Sequence, residues 1–155
     1  GAATGGFTEV LLKYGAEKVY AIDTARGKIA PKLREDPRVV VMESIDVRNI
    51  DALPDLAEVV TIDVSLIQLE NILPPVRRFL SSGGSVVALF KPQYQTRDAK
   101  ILRHGIIENE SARKKLLEDF IRWTAEHGWK IMGQMESPIQ GSKGNVEYLL
   151  WLRLF

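Results

Sequence analysis

Residues 1–9 read Gly-Ala-Ala-Thr-Gly-Gly-Phe-Thr-Glu, a glycine-rich stretch that runs directly into a helical pattern. Glycines at such an entry let the backbone pass close to a nucleotide-like ligand at a helix N-terminus. A tight strand-to-helix turn without a ligand is the competing interpretation. The helix is predicted over 6–14 from apolar side chains at helical spacing, which are Phe7, Val10, Leu11 and Tyr14.

Beyond this stretch, short apolar strands alternate with helical segments. Strands are predicted at 18–23, 38–42 (as a buried strand), 58–63 and 85–90, and helices at 28–35, 66–80 and 110–127. Pro74 and Pro75 should kink or split the second of these helices. Residues 81–84 are predicted as a turn and 92–108 as a long loop, of a length that is usually either functional or disordered.

The last two predicted strands, 130–136 and 146–154, have no helix between them and should therefore pair antiparallel. The whole order predicts an α/β fold, a doubly wound Rossmann-like sheet that ends in an antiparallel hairpin. That ending is typical of methyltransferase sheets rather than of dinucleotide-binding dehydrogenases.

A glycine-rich nucleotide loop ordinarily follows a strand, and here nothing precedes Gly1. We therefore expect the first strand to be missing from this sequence. Residues 1–155 are then interpreted as one methyltransferase domain that is truncated at its N-terminus.

Composition excludes several classes of protein. A hydrophobic fraction of 45% and a charged fraction of 26% are those of a soluble globular domain, and a net charge of +1 does not by itself indicate a nucleic-acid binder. The absence of cysteine excludes disulfides, thiolate catalysis and cysteine-ligated metals, and it fits the cytoplasm. No apolar run approaches the ~20 residues of a membrane span.

Asp23 strengthens the interpretation of the glycine stretch as a cofactor loop. It ends the next predicted strand, where a carboxylate can accept both ribose hydroxyls of NAD or of S-adenosylmethionine. Glu9 in the first helical turn would repel a pyrophosphate but not the cationic end of S-adenosylmethionine, and the glycine spacing departs from G-x-G-x-x-G. Both observations favour S-adenosylmethionine. Asp46 is either an acceptor for the adenine amino group or a helix N-cap.

Three polar residues lie at or near strand ends that the topology places side by side, namely Asp63, Lys91 and Glu147. A lysine between two carboxylates suits the binding and activation of a poorly acidic hydroxyl. A strand-edge salt bridge is the competing interpretation for each residue. Nearby, the predicted loop carries Arg97, Lys100 and Arg103, which would either clamp an RNA backbone or form a solvated loop.

The segments GAATGGFTE, VYAID, VVTIDVSLI, VALFKPQ and GNVEYLLWL resemble, in order, the motifs of the TlyA-type (hemolysin A) family. That family is related to the FtsJ-type ribose 2′-O-methyltransferases, and the resemblance runs from Gly1 to Arg153. This chain departs from the family pattern at Leu66, at Ala3 and over 45–48, where it reads Ile-Asp-Val-Arg.

The resemblance implies transfer of a methyl group from S-adenosylmethionine to a ribose 2′-hydroxyl of ribosomal RNA, free or in ribosomal subunits. It also implies a Lys–Asp–Lys–Glu tetrad whose last three members are Asp63, Lys91 and Glu147. The first lysine and a small S4-type RNA-binding domain are expected upstream. The implied cofactor-binding residues are Gly1, Ala3, Gly5, Gly6, Phe7, Asp23, Asp46 and Asp63.

In this interpretation Lys91 stabilises developing charge on the ribose oxygen or takes its proton, and the two carboxylates orient it. No metal is expected, since methyl transfer from a sulfonium needs alignment rather than a Lewis acid. Two alternatives stay open. One is a methyltransferase of the same fold that acts on a small molecule, against which Lys91 and Glu147 argue. The other is a hemolysin-like membrane-active protein, for which the sequence offers no amphipathic or transmembrane segment.

Overall fold

In the computed structural model, which describes residues 1–155, the strands form one two-stranded and one four-stranded sheet. The chain divides into two units, Gly1–Leu53 and Pro54–Phe155, called unit 1 and unit 2 below. Each unit combines helices with a sheet. The predicted α/β class is therefore confirmed.

Unit 1 consists of α1 (Gly6–Lys13), β1 (Val19–Ile22), α2 (Pro31–Arg34) and β2 (Val39–Met42). A short 3₁₀ helix, Val47–Asn49, follows. The two strands pair in parallel. The core of the unit is a small apolar cluster formed by Leu12, Val19, Ala21, Ile29 and Leu33.

The helix predicted at 6–14 is present as α1, but its apolar stripe is not its buried face, and the prediction that 38–42 is a buried strand is wrong. Helix α1 buries Thr8 and Leu12, while Val10 is 49% exposed and Tyr14 83% exposed. The helical spacing predicted the helix correctly. It did not predict which side of the helix is buried, because side chains on more than one side of α1 are spaced three or four residues apart. The buried side is the one that carries Thr8 and Leu12. Strand β2 is partly exposed rather than buried, because in this sheet it pairs with β1 alone.

Unit 2 contains β3 (Ala57–Ile62), β4 (Leu80–Phe90), β5 (Trp129–Glu136) and β6 (Tyr148–Leu154). The strand order is β3-β4-β6-β5. Strands β3 and β4 are parallel, and β6 is antiparallel to both β4 and β5. The antiparallel hairpin predicted from 130–136 and 146–154 is therefore present, with its second strand inserted beside a parallel one.

Strand β4 absorbs the turn that was predicted at 81–84. Its pairing with β3 jumps from Ala57–Leu80 to Val59–Ser85, so the residues between form an irregularity within one strand of 11 residues. Gly83 has a φ of +76°, which explains why the local sequence has the character of a turn. Pairing with β3 on both sides of 81–84 therefore prevails over the local preference for a turn.

The helices of unit 2 are α3 (Leu73–Val76), α4 (Pro92–Gln95) and α5 (Glu110–Glu126). The predicted helix over 66–80 is split as expected, because 3₁₀ segments at Leu69–Asn71 and Arg77–Phe79 flank α3. Pro74 and Pro75 lie in the first turn of α3, where the missing N–H costs no hydrogen bond. The predicted loop over 92–108 begins with α4 and is irregular beyond it.

The core of unit 2 lies where the sheet meets α5. Phe90 at the end of β4 is fully buried, and its ring centroid is 5.0 Å from that of Phe120 on α5. Trp129 of β5 and Leu150 and Leu152 of β6 are also buried. This packing fixes the end of β4, from which the next residue, Lys91, departs. None of the helices combines the length and the apolar character that crossing a membrane requires.

Phe90→Ala should destabilise the protein strongly, because it removes a fully buried ring from the sheet–helix contact. Large-to-small substitutions of this kind cost about 3–5 kcal/mol of unfolding free energy. Phe155, which is 78% exposed, provides the matched control, and Phe155→Ala should leave stability within about 0.5 kcal/mol of the unmutated protein. Urea unfolding followed by tryptophan fluorescence measures both. Equal losses in the two variants would contradict this description of the core.

Candidate functional site

The residues singled out from the sequence fall in both units and are described for each unit separately. In unit 1 the glycine stretch is bound to the end of β1. The backbone nitrogens of Gly1 and Ala2 each lie 3.0 Å from the carbonyl oxygen of Ile22. The Ala3 amide donates to Oδ2 of Asp23 at 2.7 Å, and the Ala25 amide donates to Oδ1 at 2.8 Å. Asp23 thus fastens the loop to the strand.

Each carboxylate oxygen of Asp23 has more than one acceptor position. One backbone donor on each oxygen therefore leaves capacity for a ligand hydroxyl. Asp23 is half-buried and Gly6 is exposed. A Cβ built at Gly6 would meet nothing within 4 Å, so the entry to α1 borders open space. Phe7, the next residue of α1, is half-buried.

Gly5 has a packing role in unit 1. Its φ is +106°, and a Cβ there would lie 2.1 Å from Cδ1 of Leu33 in the core of unit 1. Only glycine fits both the conformation and the space. Packing against Leu33 therefore accounts for the glycine at position 5, and an approach of its backbone to a ligand stays a prediction.

Glu9 and Asp46 are both engaged in ion pairs within unit 1. Glu9 pairs with Lys32, and both side chains are exposed. The partner offsets the repulsion that an isolated Glu9 would exert on a phosphate, so this residue discriminates less between cofactors than its sequence position suggested.

Asp46 is the N-cap of the 3₁₀ helix Val47–Asn49 and accepts from the Arg48 amide at 2.9 Å. Its carboxylate also pairs with the Arg48 guanidinium, at 2.6 Å from Nη2. These side-chain and backbone hydrogen bonds from Arg48 lower the pKa of Asp46 from 3.8 to about 2. Of the two interpretations of Asp46, the structure therefore contains the N-cap. An adenine contact stays a prediction.

In unit 2, Asp63 directly follows β3 and Lys91 directly follows β4. Because these strands are parallel, their carboxyl ends meet at the same edge of the sheet. Nζ of Lys91 lies 2.6 Å from Oδ1 of Asp63 and donates to Oγ of Ser65 at 3.3 Å. The Lys91 side chain is 12% exposed and that of Asp63 is 33% exposed. The pair is thus largely buried but remains partly accessible to solvent.

Glu147 lies just before β6 and is 5% exposed. It forms no ion pair with Lys91, so only one of the two expected carboxylates contacts the lysine. Instead, its Oε1 accepts a hydrogen bond of 2.8 Å from Nε2 of Gln93, a buried residue of α4. Gln93 was not among the predicted site residues. Its place in the Lys-Pro-Gln motif, two positions after Lys91, was the available signal.

The loop before β6 gives Glu147 its second constraint. The Gly141 amide donates to the Asn145 carbonyl at 2.8 Å, which folds the loop back on itself. A Cβ built at Gly141 would lie 2.0 Å from Oε1 of Glu147 and 2.4 Å from its Cδ. The Glu147 carboxyl group therefore occupies space that any other residue at position 141 would need.

The same loop fastens residues 96–108, called the basic segment below. Asn145, which is buried, donates to the carbonyl of Gly105 at 2.8 Å and accepts from the Ile107 amide at 3.2 Å. Nζ of Lys143 donates to the carbonyl of His104 at 2.6 Å. The exposed cations of the segment, none of which forms an ion pair, are Arg97, Lys100 and Arg103.

Gly141→Ala should displace the Glu147 side chain, since the new methyl group and the carboxyl group cannot share the space. If Glu147 acts in catalysis, the turnover of the variant should fall by about tenfold or more, as expected for a misplaced catalytic group. Gly133→Ala in β5 is the matched control, because its Cβ would only touch Trp151 at 3.7 Å. A crystal structure of each variant and its turnover number provide the measurements. An undisturbed Glu147 in the Gly141 variant would contradict this prediction.

Asp46→Asn should destabilise the protein near pH 7 but progressively less in acid. The asparagine keeps the N-cap geometry and loses the charge paired with Arg48. Because the folded-state pKa of Asp46 is lowered to about 2, its contribution is complete above 3.8 and is lost as the pH falls through 2. Melting temperatures of both proteins between pH 7 and pH 2.5 should converge below pH 4. In an Arg48→Gln background the difference should be small throughout, and a pH-independent difference would rule out the charge effect.

Comparison with known proteins places these observations in a family. Residues 1–154 match the FtsJ-like methyltransferase family. The chain is 39% identical over 155 residues to the 16S/23S rRNA (cytidine-2′-O)-methyltransferase TlyA of Mycobacterium tuberculosis, covering 99% of this chain and 58% of the relative. The chain thus spans little more than half the length of that relative.

Solved structures agree with this match. A Streptococcus thermophilus protein that carries a hemolysin name superimposes with a TM-score of 0.94 at 40% identity, over 99% of this chain and 57% of the other. The N-methyltransferase NodS of Bradyrhizobium japonicum, solved with S-adenosyl-L-homocysteine, shares only the fold, with a TM-score of 0.64 at 16% identity over 99% and 74% of the two chains. Sequence motifs, sheet and matches agree, and the chain belongs to the FtsJ-like methyltransferase family.

Proposed function

We propose that the protein transfers a methyl group from S-adenosylmethionine to a ribose 2′-hydroxyl of ribosomal RNA. The observation that carries the proposal is the ion pair of Lys91 with Asp63 at the carboxyl ends of two adjacent parallel strands. A ribose hydroxyl is a weak acid and a poor nucleophile. An oriented ammonium group can stabilise the negative charge that develops on such an oxygen.

The residues of unit 2 divide the work between them in this proposal. Asp63 holds Nζ of Lys91 in a fixed direction, with Ser65 as a second acceptor. Glu147 is buried beside an amide rather than a cation, so it is the carboxylate free to accept the hydroxyl proton. The ribose oxygen would form the new carbon–oxygen bond as the carbon–sulfur bond of S-adenosylmethionine breaks, with that electron pair remaining on sulfur, and Glu147 would take the hydroxyl proton.

S-adenosylmethionine would supply the methyl group on a cationic sulfonium. The residues of unit 1 fit the nucleoside part of this molecule. Asp23 lies at the end of β1 with acceptor capacity beyond its two backbone bonds, and the loop borders open space at Gly6. Gly1, Ala3 and Phe7 would line the same entry to α1, and Asp46 would lie nearer the base. NodS, which has the same fold, was solved with S-adenosyl-L-homocysteine, and this supports S-adenosylmethionine as the cofactor.

The RNA would be held by the basic segment. Its exposed cations, Arg97, Lys100 and Arg103, follow Lys91 within 12 residues and have no acidic partner to compete with a phosphate. Three such contacts give only a modest affinity, which fits the net charge of +1. The activity of the M. tuberculosis relative supports ribosomal RNA, free or in subunits, as the substrate and therefore the cytoplasm as the location.

Incubation with ribosomal subunits and methyl-labelled S-adenosylmethionine tests the proposal, followed by mapping of the 2′-O-methyl position. Lys91→Ala should lower the turnover by about 100-fold or more, the effect of removing a group that stabilises an oxyanion. Lys130→Ala is the matched control, because Lys130 is an exposed lysine of β5 away from this edge. Label found only in small molecules, or normal turnover in the Lys91 variant, would refute the proposal.

A further inference from the structure

Glu147 is a buried carboxyl group that no cation of the protein neutralises. Burial of such a group is costly unless hydrogen bonds compensate for the lost water. The structure gives its side chain one such bond, from Nε2 of Gln93 at 2.8 Å. Gln93 is itself only 4% exposed, so neither partner can turn freely into solvent.

The amide of Gln93 has only one orientation compatible with this contact. A carboxylate accepts hydrogen bonds, so the amide must present its nitrogen to Glu147 and its oxygen to the other side. That oxygen, Oε1, is buried and has no partner among the protein atoms. The contact with Glu147 therefore determines the orientation of the Gln93 side chain.

The backbone around Gln93 is fixed as well. Gln93 lies in α4, the helical turn that begins one residue after Lys91, and the Tyr94 amide donates to the Lys91 carbonyl at 2.9 Å. At the other end of the turn, Oε1 of Gln95 accepts from the Leu69 amide at 3.0 Å. The same turn thus follows the lysine of the site and carries the hydrogen-bond donor for the carboxylate.

We infer that Gln93 is a positioning residue that holds Glu147 in its working orientation while leaving its charge uncompensated. This inference rests on the proposed function, in which Glu147 accepts the hydroxyl proton. An arginine or lysine in place of Gln93 would hold the carboxylate equally well but would neutralise it. The uncharged amide of Gln93 fixes the direction of the Glu147 carboxylate without neutralising its charge. Gly141 bounds the carboxyl group at Oε1, the same oxygen that accepts from Gln93, so the two residues together constrain this oxygen.

Two substitutions separate positioning from a merely structural role. Gln93→Leu removes the donor at similar size, and the turnover should fall by about tenfold, the value of one lost hydrogen bond of ~1.4 kcal/mol. The KM values for RNA and for S-adenosylmethionine should stay near those of the unmutated protein. Gln93→Glu places two carboxyl groups at hydrogen-bond distance, where they cannot easily both be ionised.

The Gln93→Glu pair can recover the native geometry by sharing one proton, which replaces the amide N–H as the donor to Glu147. Its turnover relative to the unmutated protein should therefore rise as the pH is lowered from 8.5 to 6. Gln95→Glu is the matched control, since it makes the same charge change in the same helical turn without touching Glu147. Any loss it causes should be independent of pH.

Stability provides a readout that needs no substrate. Gln93→Glu should lower the melting temperature at pH 8 more than at pH 6, and adding Glu147→Gln should remove that pH dependence. Unmutated protein that fails to methylate RNA would refute the proposed function while this stability cycle still tests the contact. Gln93 variants with normal turnover in an active protein, or a Gln93→Glu deficit that does not change with pH, would overturn the inference.

Discussion

The parallel pairing of β3 with β4 is the constraint on which the rest of the site depends. It brings the residues that follow the two strands, Asp63 and Lys91, to one edge of the sheet, where they form an ion pair of 2.6 Å. The packing of Phe90 against Phe120 anchors the end of β4 immediately before the lysine. A slip of one residue in the β3–β4 register would turn Lys91 to the opposite face, because successive side chains of a strand alternate.

In the proposed function, the residues around this pair separate two tasks that a single cluster of charges would mix. Lys91 and Asp63 form an ion pair, whereas Glu147 has an uncharged amide as its partner. If both carboxylates paired with Lys91, their two negative charges would exceed the single positive charge of the lysine. In the structure, Asp63 alone pairs with Lys91, and Glu147 has no cationic partner. Contacts of α4 and of the loop before β6, rather than long-range electrostatics, maintain the separation.

Much of this was accessible from sequence. Alternating apolar segments predicted the α/β class, and strand ends identified Asp63 and Lys91, because both depend on local patterns that the sheet preserves. Choices made by tertiary contacts were not accessible. The exposed Tyr14, the β4 irregularity at 81–84 and the use of Gly5 to seat Leu33 each depend on a neighbour distant in sequence. Gln93 was missed because a glutamine in a short turn has no periodic signature, and its role depends on a residue 54 positions later.

The position of β6 has a consequence for how the protein is made. This strand follows β5 along the chain but lies between β4 and β5 in the sheet. Ribosomes release a chain from its N-terminus, so β4 and β5 must wait with open hydrogen-bonding edges until β6 emerges. Asn145, which orders the basic segment 38 to 40 residues upstream, leaves the ribosome at the same late stage. Exposed edges invite pairing with other chains, so this period is when the nascent protein most needs chaperone protection.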